Sequence, residues 1–173
     1  MDRKHAIAEE VPRLRRYARA LLRDHAMADD LVQDCLVRAL GNLESWRDGE
    51  SPRRWLFTIM HNLHVDQVRA RARAPDIGPL ESIPTGDLSE PERQTDRLVA
   101  NHTLQAVEAL PPERREALLL VAIEGMTYRD AAAVLGVPVG TLVSRLGRAR
   151  AQLRDILEAT TQQRTDQLRS ADL

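Results

Sequence analysis

The fold is decided by residues 127–154, which read TYRDAAAVLGVPVGTLVSRLGRARAQLR. Thr127 followed three residues later by Asp130 is typical of a capped helix N-terminus. Gly136 suits the left-handed residue that ends a helix, and Pro138 suits the first turn of the next one. The stretch therefore predicts two helices joined by a sharp turn.

The two predicted helices each have one apolar face, and the second has only positive charges. The inward residues are predicted to be Ala131, Ala132, Val134 and Leu135 in the first helix, and Val139, Leu142, Leu146, Ala149 and Leu153 in the second. Arg145, Arg148, Arg150 and Arg154 are the charged residues of the second helix. This combination is typical of a helix-turn-helix that reads DNA. The alternative is an αα-hairpin that only packs against the rest of the protein. This alternative does not explain the four arginines.

The bulk composition predicts a soluble intracellular protein. The chain has 173 residues, with 25 basic and 26 acidic side chains and a formal net charge of -1. The charge is segregated, because residues 75–96 hold six acidic side chains and one basic side chain. Cys35 is the single cysteine, which fits a reducing cytoplasm and a small core side chain. No apolar run approaches the ~20 residues of a membrane span, so no membrane insertion is expected.

The N-terminal part predicts three helices, at residues 12–23, 28–42 and 52–73. Asp24 and His25 are expected to separate the first two, whereas Ser51 caps the third and Pro52 opens it. The inner side of the third helix is predicted to hold Pro52, Trp55, Leu56, Ile59, Leu63 and Asp66. Its outer side is predicted to hold Phe57, His61, His64 and Val68. An outer side with these residues indicates a binding surface.

Neither a metal site nor an enzyme is predicted. The carboxylates Asp29, Asp30 and Asp34 favour the positive end of a helix dipole more simply than a metal ion. His61 and His64 offer two ligands at most, and Asp66 is predicted on the opposite face, whereas catalytic zinc usually has three protein ligands. Without a phosphate-binding loop or a nucleophile motif, we expect no catalytic residue and no cofactor.

The domain prediction is all-α, with two small helical domains joined by an extended acidic linker. Residues 1–73 form a three-helix bundle, and residues 74–96, rich in proline and glycine, form the linker. Fully stretched, ~20 residues span up to about 70 Å. Residues 97–158 form a four-helix domain that contains the helix-turn-helix, and residues 159–173 are expected to be disordered. In this second domain an apolar stripe is predicted at Leu98, Val99, Leu104, Val107 and Leu110, with the next helix at residues 113–124.

Three blocks in this order resemble the bacterial sigma factors of the extracytoplasmic-function (ECF) group. ADDLVQDCLVRAL (residues 28–40) resembles the family's helix that docks on the clamp of core RNA polymerase. WLFTIMHNLHVDQVRAR (residues 55–71) resembles its promoter-melting helix, and LPPERREALLLVAIEGMTYRDAAAVLGVPVGTLVSRLGRAR (residues 110–150) its fourth region. The resemblance implies a non-enzymatic sigma factor with region 2 at the N-terminus and region 4 at the C-terminus.

The partners implied by the resemblance are core RNA polymerase, through its clamp and flap, and promoter DNA in double- and single-stranded form. An anti-sigma factor is a further implied partner, with Val37, Phe57 and Val68 as plausible contacts. A stress or envelope response and a cytoplasmic, nucleoid-associated location are implied as well. The residues expected to bind core polymerase are Asp30, Gln33, Asp34, Val37 and Arg38.

The minus-thirty-five element is expected to be read by Thr141, Val143, Ser144, Arg145, Gly147 and Arg148. Arginines can reach a guanine edge or a phosphate, and the small residues Gly140, Ser144, Gly147 and Ala151 allow close backbone approach. The family often has a basic residue at Val143 and a larger one at Gly147, so shape and water are expected to carry more of the recognition. Packing of the same small-residue strip on a partner helix is the alternative.

The minus-ten element is expected to bind Trp46, Arg47, Arg53, Arg54, His61, Asn62, Arg69 and Arg71, with Arg73 extending this basic rail. The loop at residues 44–51 is the implied pocket for an extruded base. Trp55 is assigned to the core, whereas Trp46 is left open between core and pocket. Because His61 and His64 stand where the family commonly has an arginine and a small residue, one hypothesis is that promoter opening weakens as pH rises from about 6 to 8.

Two other protein classes fit parts of the pattern. An autonomous helix-turn-helix regulator predicts a ligand or receiver domain before the linker, where this chain has a small helical unit. A helical adaptor that binds only protein does not explain the unpaired arginines. Association with core polymerase separates both from a sigma factor.

Overall fold

The computed structural model describes residues 2–73 and 103–171, with side chains described to residue 162. Within these ranges every regular element is helical. The predicted linker and residues 97–102 of the predicted second domain, with Leu98 and Val99, lie outside the described residues. We call residues 2–73 the first module and residues 103–171 the second module.

The first module consists of α1 (Arg3–Leu21), α2 (His25–Gly41), a 3-10 turn (Leu43–Ser45) and α3 (Pro52–Arg73). The backbone N–H of Met27 donates to the Asp24 carboxylate at 3.1 Å, so Asp24 starts α2 as its N-cap. Ser51 and Pro52 begin α3 as predicted, and the backbone N–H of Arg54 lies 3.5 Å from Ser51 Oγ. All three predicted helices of this module are therefore present.

The first helix begins earlier in the chain than the sequence predicts. The sequence assigns Pro12 to a helix start, whereas α1 begins at Arg3 and contains Pro12. Ala6 and Ile7 are buried, so the N-terminal half of α1 contributes to the core. Ala8 and Pro12 are both exposed, and the Ala8 carbonyl that Pro12 cannot bond is therefore open to water. Pro12 is therefore compatible with α1, because the carbonyl that loses its hydrogen bond faces water while the opposite face of the helix is buried.

The core of the first module lies between α1, α2 and α3. Its buried side chains include Leu14, Tyr17, Leu21, Leu31, Val32, Cys35, Trp55, Leu56, Phe57 and Met60. Cys35 is fully buried and its thiol lies 3.5 Å from the Leu56 carbonyl oxygen, as expected for a core side chain. Burial raises the pKa of the Cys35 thiol to about 12, which leaves it almost entirely protonated at neutral pH.

The second module consists of α4 (residues 103–108), α5 (Pro112–Leu118), a π-helical turn (Leu119–Ile123), α6 (Tyr128–Val134) and α7 (Val139–Ala171). The capping of α6 is as predicted, because the backbone N–H of Asp130 donates to Thr127 Oγ1 at 3.1 Å. Gly125 and Gly136 have φ angles of 64° and 63°, a region that favours glycine, and they separate α6 from its neighbours. The helix-turn-helix is therefore confirmed as α6 and α7.

The predicted apolar face of the helix-turn-helix is confirmed except at one end. The buried residues are Ala131, Ala132, Val134, Leu135, Leu142, Leu146 and Ala149, and Leu153 packs partly against them. Val139 and Leu104, both predicted to point inward, are exposed. Val139 is the first residue of α7, where the helix has not yet reached the core.

The end of the chain also differs from the prediction. Residues 159–173 were expected to be disordered, whereas α7 continues as a helix to Ala171. The hydroxyls of Thr160 and Thr161 donate to the carbonyl oxygens of Ile156 and Leu157, each at 2.9 Å. This bonding keeps the threonine hydroxyls satisfied within the helix, where they otherwise compete with it.

The two modules pack against each other over α3. The π-helical turn contacts α1 and α6 contacts α3, so the side of α3 that faces away from α2 is covered. The prediction that Phe57 and His64 face solvent is wrong, because Phe57 packs in the core of the first module and His64 lies under Glu116 of the second module. Phe57 is 1% exposed and meets the Tyr17 ring edge-on at 5.1 Å, and His64 is buried as well. Val68, one turn beyond His64, is exposed as predicted.

No described helix is both long enough and apolar enough to cross a membrane. Among the described residues there is also no cluster of three or more histidine, cysteine, aspartate or glutamate side chains arranged to hold a metal ion.

Candidate nucleic-acid and polymerase interface

A basic groove runs between the start of α5 and the first turns of α7. It has a volume of about 810 Å³ and is lined by Pro111, Pro112, Glu113, Arg114, Gly140, Thr141, Ser144, Arg145 and Arg148. Four of the residues predicted to read DNA are in this lining. A concave, positively charged surface on the second helix of a helix-turn-helix is suited to the edge of duplex DNA.

The other predicted residues of this surface are also exposed, with one exception. Thr141, Val143, Ser144, Gly147 and Arg148 all lie on the exposed side of α7. Arg145 is half-buried, and its guanidinium lies 3.1 Å from the Glu113 carboxylate. The interpretation that all four arginines lack partners is therefore wrong at Arg145.

The three other arginines of α7 are exposed. No ion pair joins Arg148, Arg150 or Arg154 to another described side chain. Of these, Arg148 is the one that lines the groove. It is therefore the exposed arginine of α7 best placed to meet a base edge or phosphate there.

The exposed face of α2 carries all five residues predicted to bind core polymerase. Asp30, Gln33, Asp34, Val37 and Arg38 are exposed. Val37 is 66% exposed, a large apolar side chain with little packing of its own. Leu40 is exposed on the same helix and adds to this apolar area. Such a surface is suited to a protein partner.

The two tryptophans of the first module form a pair beside a cavity. The Trp46 and Trp55 rings are stacked with centroids 5.5 Å apart, and Trp46 Nε1–H donates to the Glu50 carbonyl oxygen at 2.9 Å. The Arg3 guanidinium lies 5.8 Å from the Trp46 ring centre. Trp46 also lines a cavity of about 360 Å³, bounded by Arg3, Ala6, Glu9, Glu10, Arg47, Asp48, Gly49, Glu50 and Pro52. Trp46 therefore packs against the core and also lines a cavity. The two roles left open by the sequence, a core side chain or part of a pocket, are compatible.

The predicted minus-ten residues divide into two groups in the structure. Arg47, Asn62, Arg69 and Arg71 are exposed, as is Arg73 at the end of α3. Arg53, Arg54 and His61 are half-buried and already have partners. Asn62, Arg69 and His61 line a cavity of about 460 Å³ with Arg38, Ile59, Val65 and Asp66. This cavity brings the predicted DNA surface of α3 next to the predicted polymerase surface of α2.

Two buried carboxylates of the second module reach the first module, which the sequence did not indicate. Glu124 is fully buried and accepts hydrogen bonds from Arg16 Nε at 3.0 Å and Arg16 Nη2 at 2.9 Å. Glu116 is buried between two imidazoles, with Oε2 lying 2.9 Å from His61 Nδ1 and Oε1 lying 3.6 Å from His64 Nε2. His61 Nδ1 is buried, and its approach to Glu116 lacks hydrogen-bond geometry.

These carboxylates alter the ionisation of the side chains beneath them. Burial lowers the pKa of His64, and Glu116 opposes that shift only partly. Burial raises the pKa of Tyr17 well above its usual value, and the negative charges of Glu116 and Glu124 raise it further. Both side chains are consequently held in their neutral forms at neutral pH.

Two family profiles match the chain in the order of the two modules. The profile described as "Sigma2 domain of PhyR" matches residues 7–61, and the profile described as "Sigma-70, region 4" matches residues 103–153. Both matched ranges begin and end within the modules defined by the helices.

Curated relatives and solved structures agree with these profiles. The chain is 40% identical over 151 residues to "ECF RNA polymerase sigma factor EcfG" of Rhodopseudomonas palustris, covering 87% of this chain and 82% of the relative. It is 39% identical over 134 residues to "ECF RNA polymerase sigma factor SigC" of Mycobacterium tuberculosis, covering 76% of this chain and 70% of the relative. The sigma factor RpoE of Bartonella quintana, solved with the anti-sigma factor NepR, has a TM-score of 0.72 and 31% identity, over 90% of this chain and 96% of that one.

The two matched profiles, in this order along a helical chain that ends in a helix-turn-helix, place the chain in the class of bacterial sigma factors. Within that class, this chain belongs to the ECF RNA polymerase sigma factors.

Proposed function

We propose that this chain binds core RNA polymerase through α2, reads the minus-thirty-five element with α7 and opens the minus-ten element with α3. The observation that carries the proposal is the groove between α5 and α7, where Thr141, Ser144 and Arg148 are exposed together on the second helix of a helix-turn-helix. That arrangement serves recognition of duplex DNA by contact and charge. The role requires binding and strand separation, and none of its steps asks this chain to break a covalent bond.

The polymerase contact is assigned to Asp30, Gln33, Asp34, Val37 and Arg38 on α2. An apolar side chain surrounded by charged ones is the usual composition of a protein interface with an apolar centre and a polar rim. The minus-ten contact is assigned to Arg47, Arg53, Arg54, His61, Asn62, Arg69 and Arg71, with the cavity beside Trp46 as the pocket for an extruded base. Stacking on an aromatic ring and a basic track are the two devices that hold single-stranded nucleic acid.

An anti-sigma factor is the proposed inhibitor. Two of the solved structures that this chain resembles at 30% identity or more are complexes with a second protein. One is RpoE with the anti-sigma factor NepR, and the other is CnrH with the cytosolic domain of CnrY. Val37 and Val68 are exposed and available to such a partner, whereas Phe57 is not. From the role of a sigma factor under anti-sigma control, we further propose that the chain acts in the cytoplasm. There it would contact the nucleoid during a stress response.

The test of the polymerase contact replaces Val37 by aspartate. We expect core RNA polymerase to bind this variant at least about tenfold more weakly, because a charge replaces an apolar contact at the centre of the interface. Binding is measured by fluorescence anisotropy of the labelled full-length chain. Val68→Asp is the matched control, since Val68 is 48% exposed but lies on α3. Equal loss in both variants, or no binding by the unmodified chain, would overturn the proposed surface.

A further inference from the structure

Two valines lie one helical turn apart on the exposed side of α7. Val139 is 45% exposed and Val143 is 46% exposed. Because positions four residues apart are neighbours on a helix surface, the two side chains form one apolar strip, which we call the apolar ridge. Valine is a weak helix former, since its branched side chain loses rotamer freedom in a helix. Two exposed valines together on the recognition helix therefore favour a contact outside the chain.

Gly147 leaves the apolar ridge uncovered. Side chains in an α-helix lean toward its N-terminus, so a side chain at residue 147 would lie over Val143. Gly147 has none, and a Cβ atom placed there would meet no described atom within 4 Å outside its own helical turn. Packing against the described residues therefore does not require a glycine at this position, where glycine also weakens the helix. The consequence is that a partner can reach the Val143 side chain from its C-terminal side.

The apolar ridge borders the basic groove between α5 and α7. Gly140 and Ser144, which line the groove, each directly follow a valine of the ridge. Arg148, one turn beyond Ser144, lines the groove as well and has no ion pair with another described side chain. A recognition helix that places these residues in the major groove brings the ridge to the same duplex. The ridge is thus a continuation of the proposed DNA surface.

The chemistry of the apolar ridge selects one partner on duplex DNA. The groups that bases present in the major groove are hydrogen-bond donors and acceptors, except for the C5 methyl group of thymine. An isopropyl side chain makes no hydrogen bond and is stabilised only by the removal of apolar surface from water. A donor or acceptor pressed against it would lose its water without a replacement. Thymine is therefore the base that fits Val143.

We propose that Val143 contacts the methyl group of a thymine in the minus-thirty-five element and so selects an A·T base pair at that position. The inference rests on the proposed function of α7. Val139 extends the apolar contact toward the start of the helix. A basic residue in place of Val143, as the family often has, would instead prefer a guanine edge or a phosphate. This chain therefore differs from such relatives in its base preference at one position, and the difference comes from a direct contact in addition to shape and water.

The DNA side of this contact can be removed without changing any hydrogen bond. Deoxyuridine pairs with adenine as thymidine does, and it lacks only the C5 methyl group. Duplexes are first selected from a random library by core RNA polymerase carrying the unmodified chain. Each thymine of the upstream shared element is then replaced in turn, and binding is measured by fluorescence anisotropy at a fixed salt concentration. We expect one thymine at which the replacement weakens binding about fourfold, the loss for one buried methyl group.

The protein side of the contact is removed in Val143→Ala. We expect this variant to bind the thymine duplex about fourfold more weakly, and its affinities for the thymine and deoxyuridine duplexes to agree within about 1.5-fold. This double-mutant cycle assigns the methyl contact to Val143, because two changes at one contact are not additive. The variant is expected to fold normally, since Val143 is exposed and alanine is the best helix former.

Val68→Ala is the matched control. It is the same substitution at nearly the same exposure, 48% against 46%, but Val68 lies on α3 in the first module. We expect the control to keep the response of about fourfold to deoxyuridine, because it leaves the contact at Val143 intact. Binding of core RNA polymerase by both variants is measured separately, so that a weaker complex is not mistaken for a lost DNA contact.

Three results would overturn the thymine contact: equal binding of thymine and deoxyuridine duplexes at every position, a response that persists in Val143→Ala, or a response that is lost in Val68→Ala as well. Loss of core polymerase binding in Val143→Ala, with the response kept, would show that the apolar ridge serves a protein partner instead. Failure of the proposed function has a different signature. In that case the unmodified chain adds no selected sequence to those of core polymerase alone, and the contact at Val143 falls with it.

Discussion

Replacing Arg148 by alanine is expected to weaken binding of a minus-thirty-five duplex by about 5- to 150-fold, the range for loss of one good arginine–base contact. Arg148 is exposed, lines the groove between α5 and α7, and has no ion pair with another described side chain. Arg145 is a weaker candidate because the Glu113 carboxylate already neutralises it. Arg114 also lines the groove but is half-buried and bonded to Gln152 Oε1 at 2.8 Å, so it is not expected to replace Arg148 fully.

The measurement is fluorescence anisotropy at a fixed salt concentration, using a duplex selected from a random library by the unmodified chain. Arg154→Ala is the control, because Arg154 is exposed on α7 but does not line the groove. We expect this control to lose less than about threefold, as a distant phosphate-attracting charge does in salt. Similar losses in both variants would mean that α7 attracts DNA by charge alone and reads no base at Arg148.

Replacing Leu142 by alanine is expected to destabilise the second module by about 2–5 kcal/mol, the usual cost of removing a fully buried leucine side chain. Leu142 is 0% exposed and packs α7 into the core of the second module. A small domain has a free energy of unfolding of only about 5–15 kcal/mol, so the substitution removes a large part of it. The recognition helix then loses its fixed position, and duplex binding falls with it.

Urea denaturation of the full chain can follow the two modules separately. Trp46 and Trp55 are the two tryptophans and both lie in the first module, whereas circular dichroism reports the helices of both modules. We expect Leu142→Ala to show an early loss of helix without a change in tryptophan fluorescence. Val143→Ala, at the exposed neighbouring position, should stay within about 0.5 kcal/mol of the unmodified chain. Matching transitions in the two variants would place Leu142 outside the core.

Features that depend on near neighbours could be predicted from the sequence. Ser51 and Pro52 fix the start of α3, Thr127 and Asp130 fix the start of α6, and Gly136 fixes its end, because each signal acts within one helical turn. The apolar spacing that places Leu142 and Leu146 inward is also local. The sequence thus predicted the helix-turn-helix and the start of α3 with little error.

Features that depend on contact between the modules could not be predicted in this way. The helical face that holds His64 looks like an exposed binding surface until the second module, through Glu116, is packed over it. Glu116 and Glu124 are ordinary acidic residues in the sequence, and only the fold brings them to His61 and Arg16. Pro12 misled the prediction of α1 because a proline usually marks a helix start, whereas this helix begins at Arg3 and buries Ala6 and Ile7 before the proline.

The most direct measurement is initiation by core RNA polymerase on genomic DNA fragments, with and without this chain, followed by sequencing of the transcript 5′ ends. The account predicts new start sites that appear only with the chain and share two upstream sequence elements at a constant spacing, and it predicts that these starts are lost in Val37→Asp. The absence of any start site that depends on the chain, with core polymerase active on nicked or tailed templates, would contradict it.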